Sequence, residues 1–494
     1  LIHIAIWNLM QLLTSLLITP LSGSLLIAIQ PADQNRLYRN VAIITSVLAM
    51  VLSFYVLSVF DTQVAGLQFT EHMKWNPRLG MAYDIGVDGI SLPMIVLATV
   101  LCFIAILASS SIRDKPKGYY LLMLLLETAM LGVFMAQDWV LFYVFWELTL
   151  IPLFFLIDRW GGKQRHGAAL TFVLYTFGGS VFLLVAMLVL FDSLPAHSFS
   201  MRYMAEAAAS LSEHKQMLIF LGFLIGFGVK MPIFPIHGWL PVAHVEAPSP
   251  VSILLSGILL QMGAYGLLRA TGMLPNAVLQ MQTMLMVLAL ISIVYGGLLA
   301  WRQTDMKKMI AYSSISHMGV VLLGIATLNI TGITGAVMQM AAHGLVAGAL
   351  FLLIGLLYER THTRDIRDFS SLVRTIPRFA FFTIFAFIAA IGFPGTAGFI
   401  AELPVLIGGF QQWGWLILAL GLGIMISAAY AIRTIGRLFT GPRRENMKNV
   451  NDLHGSEMLA AGLLTAATIL LGVFPAFLLQ YITPSIASLS RLFN

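Results

Sequence analysis

Residues Met217–Arg269 read MLIFLGFLIGFGVKMPIFPIHGWLPVAHVEAPSPVSILLSGILLQMGAYGLLR. The first part is an apolar helix that carries Lys230, and Pro232 and Pro235 interrupt it because proline lacks an N–H and clashes with the preceding turn. A second apolar helix begins near Val251. A charge beside a helix break at membrane depth is costly, and it is tolerated where protein or a water-filled cavity surrounds it. Ion transporters commonly build their sites this way, so this stretch predicts a transport site inside a membrane.

The composition is that of a membrane protein. Of the 494 residues, 59% are hydrophobic and 10% are charged, whereas soluble domains average roughly 45–50% and about 25%. This balance excludes a soluble enzyme. The single cysteine, Cys102, excludes an internal disulfide and a thiolate metal cluster. The net charge of +6 comes from basic residues spread over short loops, which favours a role in membrane topology over nucleic-acid binding. No N-terminal segment has the pattern of a cleaved signal peptide.

The apolar segments predict an all-α integral membrane protein. A membrane helix needs about 20 mostly apolar residues, and about 14 such spans are present, with the seventh and twelfth broken by proline. The predicted spans are Leu12–Ile29, Val41–Phe60, Ile90–Leu107, Tyr119–Met135, Trp139–Ile157, Ala168–Phe191, Met217–Ile236, Val251–Ala270, Val278–Ala300, Ile310–Ala326, Gly335–Leu357, Phe379–Ala401, Trp413–Ala431 and Met458–Ile482. The longest connections are Asp61–Gly89, Asp192–Gln216 and Arg433–Ser456, and Ser200–Lys215 is predicted to lie on the surface as an amphipathic helix.

Two segments of similar sequence indicate an internal repeat. The run GGSVFLLVAMLVLFD at Gly178–Asp192 resembles AGALFLLIGLLYER at Ala347–Arg360. Each precedes an apolar helix with a proline break, and Pro394 makes the second break. The two units are five spans apart, and an odd number of spans inverts the second copy relative to the first. This is the pattern of an inverted-repeat transporter.

The predicted helices group into four regions with a defined orientation. These are helices 1–3 in residues 1–110, two inverted five-helix repeats in residues 111–270 and 271–440, and a C-terminal loop with helix 14 in residues 441–494. Most of the 28 Lys and Arg residues fall in the loops that follow odd-numbered helices. Because basic loops stay on the cytoplasmic side, we predict these loops to be cytoplasmic, matrix or stromal, and both termini to be periplasmic or lumenal.

Six ionisable residues fall inside the predicted spans. They are Glu127, Glu147, Lys230, His317, His343 and Glu402, the last at the end of the twelfth span. Burying a charge in a bilayer costs at least roughly 2.5–3.5 kcal/mol, and a buried ion pair stabilises less than apolar packing does. The histidines have the alternative of serving as structural hydrogen-bonding residues. A structural role is a weaker explanation for Glu147 and Lys230, so we expect these two to form a pair.

Proton transfer is the functional interpretation of these residues. Burial disfavours the charged form of Lys230, whereas a nearby Glu147 favours it, so movement of the carboxylate would release and restore a proton. The histidines titrate near neutral pH and pass protons through water or hydroxyl neighbours. We hypothesise a proton pathway along the membrane plane in the order Glu147, Lys230, His317, His343 and Glu402.

Other chemistries lack a supporting pattern. His237, His244 and Glu246 lie in a proline-rich loop without the helical spacing of a zinc site, so we predict no metal site. The sequence has no phosphate-binding GxxxxGK[ST], no GxSxG and no cysteine set for an iron–sulfur cluster. The chain is therefore expected to bind no cofactor and no quinone, and to carry no electrons.

Four motifs resemble those of one family of membrane proteins. They are VKMPIFPIHGWLPVAH, QTDMKKMIAYSSISHMG, LYERTHTRD and FPGTAGFIAE. Together they look like the antiporter-like membrane subunits of respiratory complex I, of the chain M or chain 4 type. The equivalent subunit of the NAD(P)H dehydrogenase-like complex of cyanobacteria and chloroplasts, an NAD(P)H-quinone oxidoreductase, is similar. The resemblance covers the sequence from about Asp84 to about Leu438.

The resemblance implies a 14-helix fold with two inverted repeats and a proton channel driven by electron transfer in neighbouring subunits. Those partners, including other antiporter-like chains of the membrane arm, would carry the iron–sulfur clusters and the quinone. The membrane would be an energy-converting one, such as a bacterial plasma membrane or a thylakoid. Glu147 in FWELTLIP and Lys230 in GVKMP match the family's paired residues, and His317, His343 and Glu402 match its hydrophilic axis.

Two positions refine the resemblance. Glu402 points to chain M, since related antiporter-like chains usually carry lysine there, and the length agrees because chain L has a long C-terminal lateral helix. The family's eighth span usually reads GILLKMGGYGLLR, whereas this chain reads GILLQMGAYGLLR with Gln261. Glutamine orients water but holds no proton at neutral pH. The relay between the halves is therefore expected to pass through water, or to be modified as in cyanobacterial forms that serve carbon dioxide uptake. Gln261 and Glu127 are supporting residues.

Two other functions stay open. The chain could be a subunit of a multisubunit cation/proton antiporter, although Glu402 and the lack of a sodium-binding carboxylate cluster argue against this. It could also be a structural subunit that no longer conducts. Gln261 permits that interpretation, whereas Glu147 and Lys230 argue against it.

Overall fold

The computed structural model describes residues 11–31, 34–442, 447 and 450–493, and it is a helical membrane fold. Among these residues, twelve helices are long and apolar enough to cross a membrane, which confirms the predicted fold class. The helices are α1 Leu12–Ile29, α2 Asn35–Val59, α3 Ser91–Ala108, α4 Pro116–Met135, α5 Trp139–Leu148, α6 Leu150–Trp160, α7 Arg165–Ser193, α8 Met201–Ala208, α9 Glu213–Lys230, α10 Trp239–Glu246, α11 Ser249–Leu254, α12 Leu260–Met273, α13 Pro275–Arg302, α14 Met306–Ala326, α15 Ile330–Thr361, α16 Pro377–Ala390, α17 Ala397–Trp413, α18 Leu418–Phe439, α19 Gly455–Val473 and α20 Ala476–Ser490.

Both predicted helix breaks are present. The seventh span divides into α9, which ends at Lys230, and α10, which begins at Trp239. The twelfth span divides into α16 and α17, and the turn between them holds Gly392 and Gly395 at φ +77° and +90°. L-residues rarely adopt this backbone conformation, so glycine suits both positions. Glu402 does not end the twelfth span, as the sequence had indicated, but lies in the second turn of α17.

The fifth span is continuous, as the sequence analysis predicted, and runs from Trp139 to Trp160 with a local irregularity at Thr149. Helix α5 ends at Leu148 and α6 begins at Leu150. Pro152 explains this, because it has no N–H to donate to the carbonyl group of Leu148 one turn earlier. Thr149 therefore lies at an irregular point of the helix, beside Glu147.

A β-hairpin, which an all-α description omits, lies in the predicted connection Asp61–Gly89. Strands β1 Gln68–Asn76 and β2 Met81–Val87 pair in antiparallel register. The Glu71 carboxylate accepts a hydrogen bond from the backbone N–H of Leu13 at 2.8 Å, which holds the hairpin against the first turn of α1. The first turn of a helix favours negative charge.

The surface helix between the sixth and seventh spans is shorter than predicted. It covers only α8, and Glu213–Lys215 belong instead to α9. Ser200 caps α8 by accepting from the backbone N–H of Tyr203.

The eighth and eleventh spans form the centre of the molecule. The most apolar windows of Ser249–Met273 and Ile330–Thr361 are fully buried. They cross at Gly257 and Gly344, where a Cβ on Gly344 would lie 2.8 Å from the carbonyl oxygen of Gly257. Only glycine permits so close an approach of the two backbones. The crossing sets the distance between Gln261, one turn after Gly257, and His343, the residue before Gly344.

The count of 14 helices, the inverted repeats, the four regions and the orientation stay predictions. Three of the basic residues that were counted for the orientation, Arg443, Arg444 and Lys448, lie outside the described residues, as do the first ten residues and Asn494.

Candidate functional site

Lys230 is buried at the break of the seventh span. It is the last residue of α9, where the helix dipole favours a positive charge, and it is 1% exposed. Its ammonium group donates to the Thr149 hydroxyl at 2.8 Å and lies 3.4 Å from the Trp146 carbonyl oxygen. It also lies 3.9 Å from the centre of the Trp146 ring, which is a cation–π contact. The fifth span thus supplies the polar partners of the lysine.

The expected direct ion pair between Lys230 and Glu147 is not formed. The salt-bridge limit is 4.0 Å, and this pair does not meet it, although Glu147 interacts with the lysine electrostatically. The half-buried carboxylate interacts electrostatically with Tyr143, one turn earlier, and its Oε1 atom is buried without a hydrogen-bond partner among the described residues. The ammonium group hydrogen-bonds instead to the Thr149 hydroxyl and the Trp146 carbonyl.

The second group of polar residues lies where α12, α14, α15 and α17 meet. The side-chain amide nitrogen of Gln261 lies 3.0 Å from Nδ1 of His343, and that of Gln339 lies 3.3 Å from Nδ1 of His317. The same Nδ1 atom of His317 is 3.6 Å from the Glu402 carboxylate, and the two imidazole rings are 5.7 Å apart between centroids. The structure therefore brings four predicted residues into one cluster: Gln261, His317, His343 and Glu402.

A cavity of about 20 Å³ lies within this cluster. It is lined by His317, Gln339, His343 and Glu402 together with Ser313 and apolar residues. A buried water needs roughly 10–15 Å³ and two to four polar partners. Among the described residues, the Oε1 atom of Gln339 and the Nε2 atom of His343, which line the cavity, are buried without a protein partner, as is the Oε1 atom of Gln261 outside it. Water in the cavity would satisfy the first two atoms and link the two histidines.

The break before α17 gives Glu402 its position. A Cβ on Gly392 would lie 2.7 Å from the Oε2 atom of Glu402, so any larger residue there would displace the carboxylate. The sequence predicted the break from Pro394, but the closeness of Gly392 and Glu402 follows only from the folded turn.

Glu127 lies apart from both groups. Its side chain is buried in α4, and both carboxylate oxygens lack a hydrogen-bond partner among the described residues. Its role as a supporting residue stays a prediction.

Two buried residues were not predicted as proton carriers. His244 in α10 is fully buried with both ring nitrogens unpartnered, and its ring stacks on Phe351 at 4.5 Å. Lys307 is buried at the start of α14 and donates to the backbone carbonyl of Ala247. Sequence analysis considered His244 only as a metal ligand with His237 and Glu246, and the described residues contain no cluster of three such ligands. Its presence in a helical half-span was the signal that was missed.

Comparison with known proteins gives consistent findings. Residues 136–427 match the profile of the family described as NADH:quinone oxidoreductase/Mrp antiporter, TM. The NADH-quinone oxidoreductase subunit M of Rhodobacter capsulatus is 40% identical over 499 residues, which cover 98% of this chain and 96% of the relative. An NAD(P)H-quinone oxidoreductase chain 4 of Synechococcus elongatus is 41% identical and covers 95% and 89%, respectively. A chain of respiratory complex I from Thermus thermophilus superposes with a TM-score of 0.90 at 30% identity, over 98% of this chain and all of that one.

Proposed function

Because the chain belongs to the NADH:quinone oxidoreductase/Mrp antiporter family, we propose that it is a proton-translocating membrane-arm subunit of a complex I-like NAD(P)H:quinone oxidoreductase. It works beside other membrane-arm subunits, including antiporter-like neighbours, and its redox partners carry the iron–sulfur clusters and the quinone. This chain supplies a proton path and no redox centre. The observation that carries the proposal is the ammonium group of Lys230, buried at a helix break and electrostatically coupled to Glu147.

The first half of the path is the Glu147–Lys230 pair. Since the carboxylate forms no salt bridge with the lysine, the ammonium group is stabilised mainly by neutral partners, the Thr149 hydroxyl and the Trp146 carbonyl. Bringing Glu147 closer would strengthen the hold of Lys230 on its proton, and moving it away would favour release. A conformational signal from a neighbouring subunit that shifts α5 would therefore drive proton exchange at Lys230.

The second half of the path is the histidine cluster. His343 and His317 face one cavity, and Glu402 lies close enough to His317 to stabilise its protonated form. A proton that reaches His343 passes through water to His317 and then to the Glu402 carboxylate. Glu402 at this position also favours a chain M-type subunit over the antiporter alternative, which we expect to carry lysine.

Gln261 joins the two halves without carrying a proton itself. Its amide N–H donates to Nδ1 of His343, so the neutral ring carries its own proton on Nε2. The amide oxygen, which is buried without a protein partner, is free to hold a water molecule. We propose that transfer between Lys230 and His343 runs through such water, as it would in a modified form of the complex.

The proposed halves correspond to residues 111–270 and 271–440, each with one broken helix. The positive-inside pattern places the loops after odd-numbered helices on the cytoplasmic, matrix or stromal side and both termini on the periplasmic or lumenal side. The host membrane would be an energy-converting one, a bacterial plasma membrane or a thylakoid.

Replacement of Lys230 tests the proposal. In the intact complex in sealed vesicles, Lys230→Ala should reduce redox-driven proton translocation by on the order of 100-fold, because a positioned proton carrier contributes roughly 10²–10⁴-fold. Lys215→Ala is the matched control, since Lys215 lies on the same helix and is exposed. Proton movement is followed with a pH-sensitive dye, and assembly by co-purification of the partner subunits. Unchanged translocation in an assembled Lys230→Ala complex would refute the proposed path.

A further inference from the structure

A large polar vestibule opens on one face of the molecule. Its volume is about 1730 Å³ including open solvent, and about 780 Å³ of it accommodates water. The lining residues come from five connections, namely those after the third, fifth, seventh, ninth and eleventh predicted spans, and they include Ser111, Gly162, Pro248, Asp305 and Thr363. All five connections follow odd-numbered helices. The vestibule therefore lies on the side predicted to be cytoplasmic, from which a proton pump takes up its protons.

Lys307 closes the inner end of this vestibule. It lines the vestibule but is only 3% exposed, and its ammonium group donates to the carbonyl of Ala247, between α10 and α11. The charged groups that act on it are Arg364, Asp305 and Glu246, and Asp305 is itself bound by Arg364 at 3.3 Å. Among the described residues, the ammonium group forms no salt bridge, and its direct partner is the backbone carbonyl of Ala247. A lysine held in this way is placed to transfer charge between the vestibule water and the protein interior.

Polar groups continue inward from Lys307 to the histidine cluster. His244 interacts electrostatically with both Lys307 and His343, and both of its ring nitrogens are buried without a partner. Along α14, Ser314 lies seven residues after Lys307 on the same face, and its hydroxyl is 3.1 Å from that of Ser256. His244 lies two residues before Glu246, which lines the vestibule, and Ser314 lies three residues before His317, which lines the cavity.

We propose that Lys307 is the group through which protons pass from the vestibule to the histidine cluster. The ammonium group gives one proton, by way of water, to the imidazole of His244, which leaves a neutral amine and an imidazolium ion. The amine then takes a proton from vestibule water, and the imidazolium passes its proton on towards His343. The inference rests on the proposed proton-translocating function, and it assigns to that function the site of proton uptake.

A purely structural role for Lys307 makes a different prediction. An ammonium group on the carbonyl at the C-terminal end of α10 is also a favourable helix cap. Arginine at position 307 would keep the charge and the hydrogen-bond donors but would not release a proton. A structural cap therefore tolerates arginine, whereas a proton carrier does not.

The test compares Lys307→Arg with Lys308→Arg in the intact complex. Lys308 lies in the same first turn of α14, and its side chain is half-buried, whereas the hydrogen bond to the Ala247 carbonyl comes from Lys307. With proton translocation measured against electron-transfer turnover in sealed vesicles, Lys307→Arg should lower the ratio by on the order of tenfold or more, and Lys308→Arg should leave it unchanged. Lys307→His, which exchanges protons, should restore part of the loss. Full translocation by an assembled Lys307→Arg complex would overturn the proposal.

Two further variants keep the result interpretable. If Lys307→Arg does not assemble, Lys307→Gln replaces it, since glutamine can donate to the Ala247 carbonyl but carries no exchangeable charge. Loss of translocation in an assembled Lys307→Gln complex would support the proposal, and failure of both variants to assemble would assign Lys307 to helix capping and overturn it. Lys230→Ala is measured in parallel. If Lys230→Ala abolishes translocation and Lys307→Arg does not, only the uptake site is wrong, whereas normal translocation in both refutes the proposed function as well.

Discussion

The turn between α16 and α17 offers a pair of glycines that differ in one respect only. Gly392 and Gly395 both have positive φ, so alanine at either position costs about 1–2 kcal/mol of backbone strain. A Cβ at Gly392 would meet Oε2 of Glu402 at 2.7 Å, whereas a Cβ at Gly395 would have nothing within 4 Å. Gly392→Ala should therefore disturb the Glu402 carboxylate, and Gly395→Ala should not.

The size of the effect follows from the same distances. Ordinary contact begins near 3.4 Å, so the carboxylate must move by about 0.7 Å, the difference between 2.7 and 3.4 Å. The His317 ring lies 3.6 Å from Glu402. At an effective dielectric constant of about 20, a displacement of this size away from the ring would weaken the attraction between unit charges by roughly 0.7 kcal/mol, or about threefold in an equilibrium. Misplacement of a reacting group by about 1 Å can cost up to roughly 100-fold in rate.

We therefore expect Gly392→Ala to lower redox-driven proton translocation by between about threefold and 100-fold relative to Gly395→Ala. Both variants should show the same loss of thermal stability, because both carry the same backbone strain. The assay is dye-reported proton movement per electron transferred in sealed vesicles, with thermal unfolding in detergent as the stability measurement. Equal translocation by the two variants would refute the argument that the position of Glu402 limits the path.

Two other substitutions test separate parts of the structure. Gln261→Lys should raise proton translocation per electron, since the lysine ammonium group can still donate to Nδ1 of His343 and also holds a proton. Gln261→Met, which lacks hydrogen-bond donors, is the control. Equal translocation by the two variants would show that Gln261 is not part of the path. Asp88 receives two hydrogen bonds from Arg269, at 2.7 and 2.8 Å. Burial acts to raise the pKa of Asp88, but the Arg269 guanidinium outweighs it and holds that pKa below its usual range. A lowered folded-state pKa gives stability that is present above the usual carboxyl value and is lost as the pH falls through the folded value. Asp88→Asn should therefore destabilise the protein by roughly 3–5 kcal/mol at neutral pH and make its stability less dependent on acidic pH. Thermal unfolding across acidic pH measures both effects. If the stability of the variant depended on acidic pH as strongly as that of the parent, the role given to Asp88 would be contradicted.

The sequence was sufficient to predict the features that depend on neighbouring residues. Proline at positions 232, 235 and 394 predicted both broken helices, because the missing N–H acts within one turn. Lys230 was predicted to be a functional residue because a charge inside an apolar run is costly wherever the helix packs. The helical membrane class followed from composition, which tertiary contacts do not alter.

Features that depend on distant contacts were not predicted. The hairpin β1–β2 lies in a connection without a clear alternating pattern, and it is held by the contact of Glu71 with α1. The prediction of a direct pair between Glu147 and Lys230 was wrong. No local sequence pattern indicates that the ammonium group of Lys230 hydrogen-bonds to the Thr149 hydroxyl and not to the Glu147 carboxylate. In the sequence, Lys307 looks like an ordinary loop lysine. Only the fold shows that its ammonium group donates a hydrogen bond to the Ala247 carbonyl.

The crossing of the two central helices explains why the histidine cluster can exist in this chain. Gly257 and Gly344 bring the backbones into contact, and Gln261 and His343 lie close to that point on their respective helices. A larger residue at either glycine would separate the helices and lengthen the 3.0 Å contact between the glutamine amide and the imidazole. The π-helical turn at Leu255–Leu259, which contains Gly257, also changes the direction in which the following residues point. The polar path therefore depends on two residues that carry no charge, because they determine how near the charged and polar side chains can come.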